Sequence, residues 1–144
     1  MLEFGIVLHS LIVGFMLFFM IVVTPSVFSG LNEEEAGNFL RIVFPRMFLY
    51  GLVASILASI IFLVISSTIF YIISIISAVF FSINLFYINP TINKFRDEFK
   101  SGVLEAEKKF KLFHSFSVTL FLLQLIGSIF ILIPSKILPV EYLL

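Results

Sequence analysis

The chain has no cysteine, no tryptophan and little charge: Asp, Glu, Lys and Arg make up 12% of its 144 residues. Without cysteine there are no disulfides, no thiolate metal sites and no cysteine nucleophile, and cysteine usage says nothing about redox compartment. Without tryptophan, aromatic anchoring at a membrane boundary falls to the four tyrosines. A soluble domain carries roughly 25% charged residues, about twice what is found here. The formal net charge is zero, so no global field draws nucleic acid. The longest gap organises the rest: from Met47 to Asn93 there is no Asp, Glu, Lys, Arg or His.

Hydrophobic residues make up 60% of the chain. About 20 apolar residues suffice to cross a ~30 Å hydrocarbon core. The uncharged stretch is therefore long enough for two spans folded back as a hairpin, about 47–65 and 69–88, divided at Ser66-Ser67-Thr68. One further span precedes it, about 4–28, and one follows, about 112–133. The expected fold is an all-α membrane protein, a four-transmembrane-helix bundle, with residues 1–144 forming a single integral membrane domain. The first span starts with Glu3 and no Lys or Arg, and its apolar run exceeds that of a secretory signal, so it reads as a retained helix.

Small residues recur at helical spacing. Gly51, Ser55 and Ser59, with Ala54 and Ala58 beside them, form one face of the second span, and Ser74, Ala78 and Ser82 form one face of the third. These two faces are expected to meet. Ser10 and Gly14 offer a similar stripe on the first span. Between the spans, Asn32 is a candidate N-cap followed by Glu33, Glu34 and Glu35. The segment from there to Phe44 reads as a short amphipathic helix on the membrane surface, closed by Pro45. Asn89-Pro90-Thr91 is expected to break the third helix. Residues 92–111 read as an amphipathic helical connector with a break at Ser101-Gly102.

The loops at 29–46 and 89–111 hold eight Lys and Arg, and the opposite side holds only Lys136. By the positive-inside rule both loops are cytoplasmic and both termini lie outside, in a cell inner (cytoplasmic) membrane.

Polar residues inside spans are expensive in lipid and are therefore the functional candidates. Thr24, Arg46, Tyr50, Asn84, Asn89, His114, Ser115 and Ser117 all fall near the cytoplasmic ends of the four spans. Of these, Arg46, Tyr50, Asn84, Asn89, His114 and Ser117 form a candidate polar pocket, with Arg46 to hold an anionic group and His114 as the titratable one. The alternative is that they are helix-end residues that cap and anchor. His9 and His114 are candidate haem ligands, each as a single axial ligand. Their depths differ by roughly 20 Å at a rise of 1.5 Å per residue, too far for one iron to take both. Gln124, mid-span, reads as an interhelical hydrogen-bonding residue. There is no phosphate-binding glycine loop, no HExxH, no serine elbow and no carboxylate inside a span. No metal site is expected.

Several short motifs carry a resemblance. They are Thr24-Pro25-Ser26-Val27-Phe28, then Glu35-Ala36-Gly37 and Phe44-Pro45, then Asn89-Pro90, Arg96, and the run from Phe110 to Ser117 with His114-Ser115 at its centre. The chain resembles the small four-span membrane proteins grouped with transmembrane protein 205, a family catalogued as a domain of unknown function. The first span, with Leu8-His9 and Gly14, is also similar to the opening of copper-resistance (CopD-type) membrane domains and HemJ-type protoporphyrinogen oxidases. The first resemblance implies a four-helix bundle, and the second implies haem or copper chemistry.

The expected function is that of a non-enzymatic accessory protein that packs laterally against a membrane partner or a second copy and requires no cofactor. A haem- or porphyrin-associated redox protein using His9 or His114 is the alternative, and a small-solute permease is a further one.

Overall fold

The computed structural model describes residues 1–133. It consists of four long helices: α1 (Leu2–Gly30), α2 (Glu33–Val64), α3 (Thr68–Lys100) and α4 (Glu105–Leu132). All four are long and apolar enough to cross a membrane, and no strand occurs among the described residues. The chain is thus a multi-pass, all-α bundle. Each helix runs antiparallel to the next, because the links between them are only a few residues long. Lys136, expected on the side opposite the two charged loops, lies outside the described residues.

The helices outrun the membrane. The 32 residues of α2 span about 48 Å at the helical rise, against a core of ~30 Å. The segment that reads as a separate surface helix is in fact the first part of α2. Asn32 caps it through a reciprocal capping box: Asn32 Oδ1 accepts from the Glu35 amide at 2.9 Å, and the Asn32 amide donates to the Glu35 carboxylate at 3.2 Å. Pro45 then sits inside the helix rather than ending it. The lost backbone bond is tolerable because Ala36 on one side and Met47 and Phe48 on the other are buried and hold the two halves in place.

The other two prolines that follow spans are accommodated differently. Five-residue π-helical turns at Phe19–Val23 and Asn84–Ile88 each end just before an X-Pro pair, Thr24-Pro25 and Asn89-Pro90. A proline ring collides with the carbonyl four residues earlier, and a wider turn carries that carbonyl away. The helix therefore continues past Asn89-Pro90 to Lys100, where a break is expected from sequence.

The chain does break at Ser101-Gly102. Gly102 takes a positive φ of 100°, its amide reaches the Phe99 carbonyl, and the Val103 amide reaches that of Glu98. This is a Schellman closure. The α2–α3 link closes the same way, with Ser66 at φ 60° and the Ser66 and Ser67 amides on the Leu63 and Phe62 carbonyls.

The most extensive helix contact is between α2 and α3. Ala54, Ser55, Ala58 and Ser59 of α2 and Ser74 and Ala78 of α3 are buried, Ser82 is half-buried, and Ala54 and Ala78 share one core cluster, as expected where two small-residue faces approach. Gly51 is needed there, since a β-carbon on it would overlap the Phe81 ring. The first span differs from expectation. Its buried face is Gly5, His9, Ile12 and Met16, while Ser10 is exposed and Gly14 has nothing packed on it. The bulky Ile12 and Met16 bury more apolar area in the core shared with Phe48 of α2, Phe81 of α3 and Leu125 of α4 than the Ser10–Gly14 face would, and that sets the rotation of the helix.

At the charged end, α2 and α3 are pinned to each other. Arg41 pairs with Asp97 at 2.5 Å, Arg96 donates to the Glu33 carbonyl at 3.3 Å, and the Arg96 guanidinium lies directly over Gly37. Phe95 and Tyr87 of α3 pack against Phe113 of α4, and Lys109 lies 5.5 Å from the Phe95 ring centre.

Candidate functional site

Buried polar groups converge along the α3–α4 seam. The set farthest from the charged end centres on His9, which is fully buried on the inward face of α1. His9 Nε2 lies 2.8 Å from Ser74 Oγ on α3, and Nδ1 lies 3.0 Å from Ser128 Oγ on α4. The directions of these bonds follow from proton counting. Ser74 has one hydroxyl proton and donates it to the Phe70 carbonyl at 2.8 Å. Its oxygen therefore accepts from His9, which places the proton of the uncharged imidazole on Nε2. Nδ1 is then an acceptor, and Ser128 donates to it. Phe62 of α2 lies along the ring face, with centroids 6.0 Å apart and planes 25° from parallel. Phe62 in turn meets Phe70 edge-on at 5.3 Å. One side chain thus draws all four helices together.

One turn further along the seam, Gln124 Nε2 donates to the Ser77 carbonyl at 3.2 Å, while its Oε1 is buried without a partner. At the charged end, Ser117 Oγ donates to Asn84 Oδ1 at 2.6 Å, and Asn84 Nδ2 is buried without a partner. Ser55 Oγ of α2 is similarly unpartnered. Between the Ser77–Gln124 contact and the Asn84–Ser117 pair stands Phe81, fully buried. Along α3 the polar residues Ser77 and Asn84 are thus separated by a ring that packs toward Gly51 of α2 and Phe15 of α1.

Of the six residues proposed from sequence to form one pocket, the structure brings together Asn84 and Ser117. Asn89 is buried near them, one turn beyond the start of the π-turn. Arg46, Tyr50 and His114 are exposed on the bundle surface. Tyr50 sets its ring edge-on against Phe15 at 5.2 Å, and His114 stacks on Phe110 with centroids 6.0 Å apart. Thr24 is half-buried and Ser115 exposed. The partners of His9, Ser74 and Ser128, are not legible as a polar site from sequence. Ser74 reads there as a small packing residue. The usable signal was Gln124 and Ser128 at helical i,i+4 spacing, which puts two polar groups on one face of a span.

His9 does not fit a haem or copper centre. Both nitrogens of His9 are engaged by serines, so an iron would have to displace one of them. His114 and Ser128 lie on the same helix about 21 Å apart at the helical rise, which keeps the two histidines at opposite ends of the bundle. Among the described residues no three His, Cys, Asp or Glu side chains lie close enough to hold a metal ion.

The architecture defines a polytopic four-helix membrane protein with a hydrogen-bonded polar seam. The chain belongs to the family of the domain of unknown function DUF4149, whose match covers residues 7–101 and so runs from α1 to the end of α3. No curated protein and no solved structure matches it.

Proposed function

We propose that this protein is a non-enzymatic packing subunit of the membrane, a bundle whose lateral surface engages a partner helix or a second copy. One observation carries this reading. His9, the only ionisable side chain fully buried among the described residues, has both ring nitrogens bonded to serines of other helices. It ties the bundle together and leaves no nitrogen for a ligand. The outward Ser10–Gly14 step, with open space over Gly14, supplies the small-residue contact at which another helix could approach. The bundle sits in a cytoplasmic membrane with its charged end inside and its N-terminus outside, on the strength of the lysines and arginines at 41–46 and 94–111. Within the family, the motifs around Pro25, Pro90 and His114 support kinship with the transmembrane protein 205 group in particular.

The test is purification in mild detergent with an absorbance spectrum, a mass-resolved oligomer profile and cysteine cross-linking from position 14. The expected preparation is colourless, and Gly14→Cys cross-links to a partner or a second copy. A stoichiometric Soret band that disappears in His9→Ala would overturn the reading, as would flux through proteoliposomes that depends on Gln124. Reporter fusions at the N-terminus and at Gly102 check the orientation.

A further inference from the structure

We propose that the groove between α1 and α2 at the charged end of the bundle binds an anionic glycerophospholipid, with an acyl chain along the groove floor and the phosphate on Arg46. The groove is lined by Phe15, Phe18 and Phe19 of α1 and by Val43, Arg46 and Met47 of α2, and has a volume of about 330 Å³. Apart from Arg46 its lining is apolar.

Arg46 differs from the other two arginines of the chain. Arg41 is held by Asp97 and the Asn93 carbonyl, and Arg96 by the Glu33 carbonyl. Arg46 is exposed and bonded to no group of the protein among the described residues. It stands immediately before the uncharged stretch that begins at Met47, at the level where α2 passes from headgroups into hydrocarbon. A guanidinium there presents a planar fork that suits a phosphate.

The site therefore joins an unpaired cation at the interface to an apolar trough running deeper into the membrane. A free anion would leave the trough unused, and an apolar partner helix would leave the charge unmatched. An anionic amphiphile satisfies both. Tyr50 strengthens the assignment. It lies one turn from Arg46, about 5–6 Å deeper along α2, borders the groove through its edge contact with Phe15, and has a phenol with no partner among the described residues. That is the level of the glycerol esters, whose carbonyls accept hydrogen bonds. The groove owes its shape to the start of the π-turn. Phe19 turns inward against Phe44, at 5.2 Å, while the neighbouring Phe18 stays on the surface.

The experiment is native mass spectrometry of the full chain in detergent, titrated with dioleoyl phosphatidylglycerol, with dioleoyl phosphatidylcholine and inorganic phosphate run in parallel. One phosphatidylglycerol molecule should bind, favoured about tenfold or more over phosphatidylcholine, as a charge-assisted contact predicts. Arg46→Gln should abolish that preference, Arg46→Lys should keep part of it, and Tyr50→Phe should weaken binding a fewfold. Lys108→Gln removes an exposed, unpaired charge elsewhere and should change nothing. Because Arg46 touches no other residue's polar group, these variants should melt with the parent. Equal binding of the two lipids would overturn the proposal, as would an undiminished preference in Arg46→Gln. So would competition by inorganic phosphate at equal concentration, since that would mark a simple anion site.

Discussion

His9 donates through Nε2 to Ser74 Oγ at 2.8 Å while Ser74 donates its own proton to the Phe70 carbonyl. This relay fixes the direction of the whole His9 rung, since it leaves Nδ1 as the acceptor for Ser128. It also makes the rung asymmetric. Loss of His9 strands the Ser128 hydroxyl, whereas loss of Ser128 strands one ring nitrogen.

His9→Ala should therefore be the more damaging change. It leaves a void in contact with Phe62 as well as broken bonds, and should cost about 2–4 kcal/mol. Ser128→Ala should cost about 1 kcal/mol, in line with interhelical hydrogen bonds in membranes. Unfolding in mixed detergent micelles measures both. A His9→Ala protein as stable as the parent would show that the rung is not what holds α1 to the bundle.

Gln124→Leu should behave in the opposite way. Gln124 makes a single bond, at 3.2 Å, and buries its carbonyl oxygen without a partner. A leucine of similar size removes the unsatisfied atom, so stability should change by less than about 1 kcal/mol or rise. A large loss on the same unfolding assay would mean that Oε1 is satisfied in the membrane by a bound water.

Two glycines allow a matched comparison. Gly51→Ala places a β-carbon into the Phe81 ring and should cost about 1–3 kcal/mol by overpacking. Gly14→Ala meets nothing in the bundle and should be neutral or stabilising by about 0.5–1 kcal/mol through helix entropy. Equal effects at the two positions would contradict the packing of α2 on α3 through this face.

Ser66 adopts a left-handed conformation, φ 60°, inside a Schellman closure whose usual occupant is glycine. Ser66→Gly should raise stability by about 0.5–1 kcal/mol. Thermal melting of the two proteins side by side decides it, and a lowered midpoint would rule the strain out.

The Arg41–Asp97 pair lies at the charged end of the bundle with side chains 38% and 59% exposed. Solvent screens it, so a double-mutant cycle should give about 0.2–1 kcal/mol, declining as salt is raised. A coupling that ignores salt would indicate that the pair is drier than its exposure implies.

Much of the architecture follows from composition alone. A 47-residue stretch from Met47 to Asn93 without Asp, Glu, Lys, Arg or His can only be satisfied in lipid by helices, because each unpaired backbone group there costs several kcal/mol. The small-residue spacing on α2 and α3 identified their contact, since close approach needs small side chains wherever it occurs. Asn32 and Glu35 marked a helix start because a capping box is a local device. The prolines misled the reading. Pro45 and Pro90 break helices in water, but within a bundle the neighbouring packing or a π-turn absorbs the missing bond, so α2 and α3 run straight through.

The candidate site was much less legible. His9, Asn84, Ser117 and Gln124 stand out in the sequence as polar residues in apolar spans, but not whom they face. Arg46, Tyr50 and His114 share a depth with Asn84 and yet lie on outward faces. Depth is a property of position along one helix, and sequence determines it through hydropathy and rise per residue. Which face turns inward depends on the rotation of each helix about its axis. That rotation is set by side chains on different helices packing together, Phe62 and Phe81 among them. The sequence by itself thus determined the number of spans, their length and the charge at their ends, all consequences of transfer from water to lipid. Only the tertiary structure decided that His9 meets Ser74 and Ser128 across 65 and 119 residues of chain, because such contacts follow from the joint packing of four helices and from no local pattern in any one of them.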